Sequence, residues 1–355
     1  MSTAPERDTL VYIANASDGT IGRYRLDRQT ETLESLGTTD AGKNVMPLAV
    51  SPDQRYLYAA VRSEPLRVLS YRIDADSGDL APIGSGSLSG SMAYIAVDRS
   101  GRYLLAASYG DSCVSVSPID EHGVAGDAIQ TEKTGANAHA IQASPDNRHV
   151  IATSLGEDHL SQFHFDGTLT ANTPARVDTD AQQGPRHFVF SPCGRFVYVL
   201  GEFTADVTTF AFDAESGELT RLSVCHGLPE NAGLERGMRQ QEIPEGDETR
   251  RVWAADLHLT PDGRYLYLSE RTSSTLSRLH VDPNTGEARF VASQPTVERP
   301  RGFEIDPLGG YLIAVGELSD RAALYRIDSA DGALEHVSDA PVGNQANWVE
   351  IVTFD

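Results

Sequence analysis

Short runs of alternating apolar and polar residues recur along the whole chain, and nowhere does a helical spacing persist over a long window. Between His187 and Val224 four such runs, HFVFS, RFVYVLG, VTTFAFD and ELTRLSV, are separated by turn-forming residues. That pattern predicts four successive antiparallel strands in about 46 residues. The unit then repeats. SPDQRYLYAAV (Ser51 to Val61) is matched by phrases beginning at Asp98, Ser144, Ser191, Thr260 and Asp306, and their fifth residues are Arg55, Arg102, Arg148, Arg195, Arg264 and Gly310. The steps are 47, 46, 47, 69 and 46. A second marker, an apolar alternation ending in Asp, falls at Asp27, Asp74, Asp120, Asp166, Asp213, Asp282 and Asp328 and counts seven units. A period of this length with four strands per unit predicts an all-β, seven-bladed β-propeller, one domain over residues 1–355.

The ends of the chain predict how the ring closes. Val11 to Asp27 matches the second and third strands of a unit and has no first strand before it. GNQANWVEIV near the C-terminus resembles the first-strand segments GANAHAIQAS and RPRGFEID, with no second strand after it. The N- and C-terminal strands are therefore expected to share one blade, which removes the open sheet edges.

Register places the polar residues. Seven and five residues before the marker the side chains are mostly large and apolar, so that face packs between blades; eight and six residues before it they are small or polar, including Tyr94, Gln142, His187, Asp256, His258 and Glu304, as a channel lining should be. Nine before, where the innermost strand begins, stand His139, Arg186 and Arg301; seven after, where the second strand ends, stand Arg62, Glu202, Arg271 and Glu317. Both positions lie at the same end of an antiparallel pair. His139, Arg186, His187, Glu202, Arg271 and Arg301 are thus expected around one mouth of the channel, with Asp256 and His258 below. The long step adds about 22 residues between Leu222 and Trp253, and this polar Gly/Pro-bearing connection, opening on the same mouth, is expected to cover it. The marker arginines read as structural, and His149, His159, His164, His226, His280 and His336 as surface.

Composition narrows the function classes. A formal charge of −22 argues against nucleic acid and anionic membranes as partners. An anionic ligand must instead be held by a local cluster of arginines. The polar start MSTAPERDTL lacks the apolar stretch of a secretory signal and no run reaches the length of a membrane span, so a cytoplasmic protein is expected. Three cysteines, Cys113, Cys193 and Cys225, form no CxxC pair and read as reduced thiols. Oligomeric state leaves no mark, and a monomer is the expectation.

At Met46 to Ile73, Gly184 to Pro192, Trp253 to Thr272 and Gln294 to Pro307 the chain resembles the seven-bladed propeller lactonases, with PRH, WAADLH followed by RT, and PRGF as the specific motifs. The family also holds muconate-lactonizing enzymes in which a His, a Glu and two Arg are implicated, and those positions correspond here to His139, Glu202, Arg186 and Arg271. The resemblance implies hydrolysis of a sugar δ-lactone, first 6-phosphoglucono-1,5-lactone of the pentose phosphate pathway. Unphosphorylated aldaric lactones and muconate-type lactonization are the alternatives, and a non-enzymatic propeller scaffold is a third reading. The segment from Pro229 to Trp253 is longer than the sugar-phosphate lactonases lead one to expect, which leaves the substrate open.

Lactone hydrolysis needs a base for water, donors for the developing oxyanion and an acid for the leaving oxygen. His139 or Glu202 is the candidate base, Arg186 and Arg271 the candidate anion donors and His187 the candidate acid. Arg301, with Arg62 or Lys43, is the candidate site for a phosphate or second carboxylate, and Trp253, Asp256 and His258 complete the substrate-binding set. No GxSxG elbow is present, so direct attack by water is the simpler expectation. No cofactor is implied; Glu202, Asp256, His258 and Glu317 could make an oxygen/nitrogen metal site, but a metal is not required.

Overall fold

The computed structural model describes residues 8–354; the start of the chain read above as polar lies, for residues 1–7, outside the described residues. Seven four-stranded antiparallel sheets form the blades, each running outward from an innermost strand. Those innermost strands are Val45–Val50, Met92–Val97, Ala138–Ala143, Pro185–Phe190, Ala254–Leu259, Pro300–Ile305 and Ala346–Thr353, and each touches the next until the last returns to the first. The C-terminal Ala346–Thr353 pairs with Thr9–Asn15, so the last strand of the chain is the inner strand of the blade that the N-terminus begins.

The repeated phrases are the turn chemistry of each blade. The first residue of the marker phrase accepts the backbone N–H five residues on, at Ser51, Asp98, Ser144, Ser191, Thr260 and Asp306, with distances of 2.6 to 3.1 Å. This closes the turn between first and second strands. The recurrent Asp does the same at the outer hairpin, where Asp27, Asp74, Asp213 and Asp328 each accept two backbone N–H groups two and three residues on. The marker arginines Arg55, Arg102, Arg195 and Arg264 lie over the ring of the next residue at 5.1 to 5.8 Å, a structural stacking as expected.

Blades are joined by apolar faces, for example Leu200, Leu257 and Leu268 in one cluster and Tyr267, Leu276 and Phe303 in another. A smaller contact repeats with them. The residue after the marker arginine packs beneath a left-handed glycine in the outer hairpin of the following blade: Tyr56 under Gly123, Tyr103 under Gly167, His149 under Gly217, Phe196 under Gly286 and Tyr265 under Gly332. His149 therefore fills an aromatic's position and is buried, against its reading as a surface residue. His159 is buried too, at the head of its strand with its ring beneath Gly135.

The long connection begins after His226 and is folded rather than loose. Gly227 and Gly237 donate to the carbonyls of Ala205 and Phe203, Glu235 bridges to Arg251, and Leu228 and Val252 enter the interblade core. It forms a strap tied down at both ends.

These contacts predict unequal costs at two left-handed glycines. Gly286 (φ 77°) has Phe196 ring atoms 2.5 Å from where a Cβ would stand, whereas Gly246 (φ 81°) faces open space. Gly246→Ala should cost about 1–2 kcal/mol from backbone strain alone, and Gly286→Ala a further 1–3 kcal/mol, roughly, from overpacking. Urea unfolding midpoints of the two variants test this; equal shifts would dismiss the interblade packing.

Candidate active site

Each innermost strand enters the ring through a bulge. Pro185 pairs with Gly201 but Phe188 with Val199, so one extra residue is accommodated at Arg186 and His187; the same shift occurs at 138–141, 254–257 and 300–302. A bulge re-aims side chains that strict alternation would send to opposite faces. Consecutive residues Arg186 and His187 consequently both reach the channel side and touch each other, Arg186 Nη1 donating to His187 Nε2 at 3.1 Å.

Arginine and glutamate then interlock. Glu202, at the end of the neighbouring strand, accepts from Arg186 Nε at 2.9 Å and from Arg271 Nη2 at 2.8 Å. Arg186 also donates to the Ala255 carbonyl, and Arg271 Nε to that of Trp253 at 3.0 Å. A second carboxylate repeats the arrangement: Glu317 accepts from Arg299 Nε at 2.8 Å and from Arg301 Nη1 at 3.1 Å. The indole of Trp253 lies under both Arg271 (5.4 Å) and Arg299 (5.6 Å). Burial acts to raise the Glu202 pKa, but Arg271 and Arg186 outweigh it and hold the carboxylate below its usual range.

His139 sits beside this lattice with no hydrogen-bond partner on Nδ1, which is buried, its ring edge-on to His187 at 5.2 Å and to Tyr109 at 6.0 Å. Burial first, then the charges of Arg186 and its neighbours, lower its pKa well below the ordinary imidazole value, so it is neutral.

Below the mouth a hydrogen-bonded line descends the channel. His187 Nδ1 donates to Asp256 Oδ1 at 2.7 Å; Asp256 Oδ1 is 3.3 Å from His258 Nε2, and His258 Nδ1 is 3.1 Å from Glu304 Oε1. Since Arg186 can only donate, His187 Nε2 is its acceptor and the His187 proton is on Nδ1. Burial brings the His187 pKa down to about 4, leaving a neutral ring. His258 is the opposite case: burial opposes its charge, but Glu304 and Asp256 overcome that and raise its pKa well above the ordinary value.

The structure thus brings His139, Arg186, His187, Glu202, Arg271 and Arg301 to one mouth. Trp253 forms a wall of an adjoining cavity of about 380 Å³ that the strap encloses with Asp247, Thr249 and Arg250. Asp256 and His258 line a different cavity, about 270 Å³, lower in the channel. Arg62 adjoins Arg301 in a third pocket, while Lys43 is exposed and outside it. Among the described residues no three His, Cys, Asp or Glu side chains are disposed to hold a metal ion, and Glu202 and Glu317 are each taken by two arginines. Three residues were missed. Arg299 lies two residues before the counted position, and Trp348 and Glu350 come from the closing blade, which has no marker arginine; carrying the register of PRGFEID onto NQANWVEIV would have found them.

A family model described as Lactonase, 7-bladed beta-propeller, matches residues 10–351. The chain belongs to the seven-bladed β-propeller lactonases. Among relatives, it is 37% identical to a 6-phosphogluconolactonase of Pectobacterium carotovorum subsp. carotovorum (strain PC1) across 98% of this chain and 99% of that one. It is 36% identical to a 6-phosphogluconolactonase of Yersinia pestis (strain Pestoides F), covering 96% and 97% of the two chains. Of solved structures, the periplasmic gluconolactonase PpgL of Pseudomonas aeruginosa superposes with a TM-score of 0.84 at 27% identity, covering 98% of this lactonase and 99% of PpgL. No helix among the described residues of the lactonase is long and apolar enough to cross a membrane.

The two channel histidines should differ in protonation. At pH 7 long-range ¹H–¹⁵N spectra are expected to show His258 protonated on both nitrogens and His187 on Nδ1 alone. Because the His258 pKa is raised on folding, its stabilising contribution is complete below the unfolded value of about 6.5 and is lost as pH rises through the folded value. A neutral His258 at pH 7 would break this account.

Proposed function

We propose that the chain hydrolyses a sugar δ-lactone, with 6-phosphoglucono-1,5-lactone as substrate and 6-phosphogluconate as product. The observation that carries the reading is Glu202 clamped between Arg186 and Arg271 beside an unpartnered, neutral His139. The names of the relatives at 36–37% identity point to the same reaction. A cytoplasmic place in the pentose phosphate pathway goes with this substrate.

The geometry supports the following roles. A carboxylate with both oxygens held by guanidinium groups is a poor base, so Glu202 positions the arginines. His139 has a free lone pair and takes a proton from the attacking water as the water oxygen bonds to the lactone carbonyl carbon. Arg186 Nη2 and Arg271 Nη1, which have no acceptor among the described residues, lie free to donate to the oxyanion. When the tetrahedral intermediate collapses and the ring C–O bond breaks, the imidazolium of His139 returns the proton to the leaving oxygen, giving the hydroxyl of the open acid. His187 was the expected acid for that step, but its Nε2 accepts from Arg186 and has no proton to give. Its part is to hold Arg186.

Bound anion changes the base. The arginines that depress the His139 pKa in the empty site are those an anionic substrate neutralises, so binding raises it toward neutrality.

Three measurements test this reading, each with freshly generated lactone and correction for spontaneous opening. Arg186→Ala and Arg271→Ala should lower kcat/KM by roughly 10²–10³, and His139→Ala by roughly 10²–10⁴, with folding intact. The acid limb of kcat should lie at higher pH than that of kcat/KM, because the first reports the complex and the second the free enzyme. A preference for unphosphorylated glucono-δ-lactone would favour hydrolysis of an unphosphorylated sugar lactone instead, to which the name of the PpgL gluconolactonase points; wild-type protein that accelerates no lactone would end both readings.

A further inference from the structure

Arg62 is a half-buried guanidinium at the mouth with no carboxylate within ion-pair distance among the described residues. Its Nε donates to Ser91 Oγ at 2.9 Å, which leaves both terminal nitrogens uncommitted. It shares a pocket of about 320 Å³ with Arg301, Glu317, Asn44, Gln345 and Asn347. Burial, and then repulsion from Arg301, lower the Arg62 pKa, so the two cations press on each other. Two guanidinium groups, Arg62 and Arg301, thus stand here with one carboxylate, Glu317, and Arg301 leaves its Nε and Nη2 without an acceptor among the described residues. Asn347, 97% buried by its 3% exposure, presents an Oδ1 that no donor satisfies. Open donors on both arginines, Nη1 and Nη2 of Arg62 and Nε and Nη2 of Arg301, suit the three acceptor oxygens of a phosphate monoester, which carries about −1.5 to −2 at neutral pH, better than the two of a carboxylate. The unsatisfied Oδ1 offers an acceptor to a sugar hydroxyl.

We infer that the pocket formed by Arg62, Arg301 and Asn347 binds the phosphoryl group at the far end of the substrate and sets preference for phosphorylated over unphosphorylated lactones. The inference rests on the lactonase reading above and deepens it. Arg301 joins the two parts of the site, since its charge also acts on His139 and Arg186 at the reacting end. The competing place for the phosphate is the cavity under the strap. There Arg271, Arg299 and Arg251 are each already paired with a carboxylate, and Arg250 is exposed.

The test compares 6-phosphoglucono-, glucono- and glucaro-δ-lactone as substrates for the wild-type protein, Arg62→Gln, Arg62→Lys and Arg250→Gln. In parallel, calorimetry measures binding of the stable product 6-phosphogluconate, of gluconate and of inorganic phosphate. Arg62→Gln should lower the ratio of kcat/KM for phosphorylated over unphosphorylated lactone by about tenfold or more, mainly through KM, as loss of a charge-assisted contact predicts. The Kd for 6-phosphogluconate should rise by a similar factor, and Arg62→Lys should restore part of both. A ratio that Arg62→Gln leaves unmoved while Arg250→Gln shifts it would place the phosphate under the strap and overturn the inference. So would an Arg62-dependent preference for the glucaro lactone, which would make this a carboxylate pocket. Absent turnover of every lactone, with 6-phosphogluconate binding still dependent on Arg62, would remove the proposed reaction and uphold the pocket.

Discussion

Guanidinium groups cannot be gathered and buried at one mouth unless anions stand among them, and this electrostatic constraint organises everything else in the site. Arg186 is 2% exposed and Arg271 8%, and each is drawn to Glu202. Desolvating such charges costs several kcal/mol apiece unless they are paired and their remaining N–H groups bonded. Backbone carbonyls of Trp253, Ala254 and Ala255, all from the start of a single inner strand, accept from part of what remains, and Arg186 Nη2 and Arg271 Nη1 stay open. Glu202 is thus a keystone between two blades. That is why a carboxylate in a lactone-opening site is better understood as a fixed counter-charge than as a proton acceptor. Burial first, and then the same positive lattice, keeps His139 neutral, as the role of base proposed for it requires.

The bulge at the start of each inner strand is the backbone counterpart of that arrangement. Strict alternation permits one side chain of every two to face the channel. Arg186 and His187 both do so because the ladder slips by one residue between Pro185 and Phe188. Hydroxyls of the neighbouring strand absorb backbone groups that the slip frees: Thr153 Oγ1 accepts from the Ala140 N–H and donates to the Arg186 carbonyl, and Ser269 Oγ accepts from the Asp256 N–H. A repeated fold therefore repeats its irregularity at the same place. Side chains at that place differ from blade to blade, and this difference turns a symmetric ring into an asymmetric site.

Much of the fold was legible because its turns are encoded locally. A Ser, Thr or Asp that must cap the N–H five residues on, and an Asp that must close an outer hairpin, leave marks that can be counted. Register from those marks then located six mouth residues correctly. It failed where marks were absent or where the count assumed regularity. Trp348 and Glu350 stand on a strand that ends the chain, with no second strand after it to carry a marker. Arg299 adopts φ 55° where equivalent starts hold Asn44, Asn137 and Gly184, and only tertiary contact with Glu317 reveals its purpose. His149 reads as a surface residue because no carboxylate or arginine series matches it, yet its position demands a flat ring beneath Gly217. The His187 tautomer was beyond reach altogether, since it depends on a donor 3.1 Å away and an acceptor on the next blade.

The acidity of the chain and the basicity of its mouth are two sides of one field. With a formal charge of −22 the outer surface repels anions, so an anionic substrate must be captured at short range, by groups that the general field does not reach. Burial supplies this, since interactions of Arg186, Arg271 and Arg301 are screened little inside the ring. The product carries one more negative charge than the lactone, because ester opening releases a carboxylic acid that ionises. The same surface field that slows entry then favours departure of that product once it leaves the arginines. Partial neutralisation of the arginines, two around Glu202 and two around Glu317, weakens their pull on the anion proposed to bind there, and Glu202 and Glu317 are the groups that set this balance.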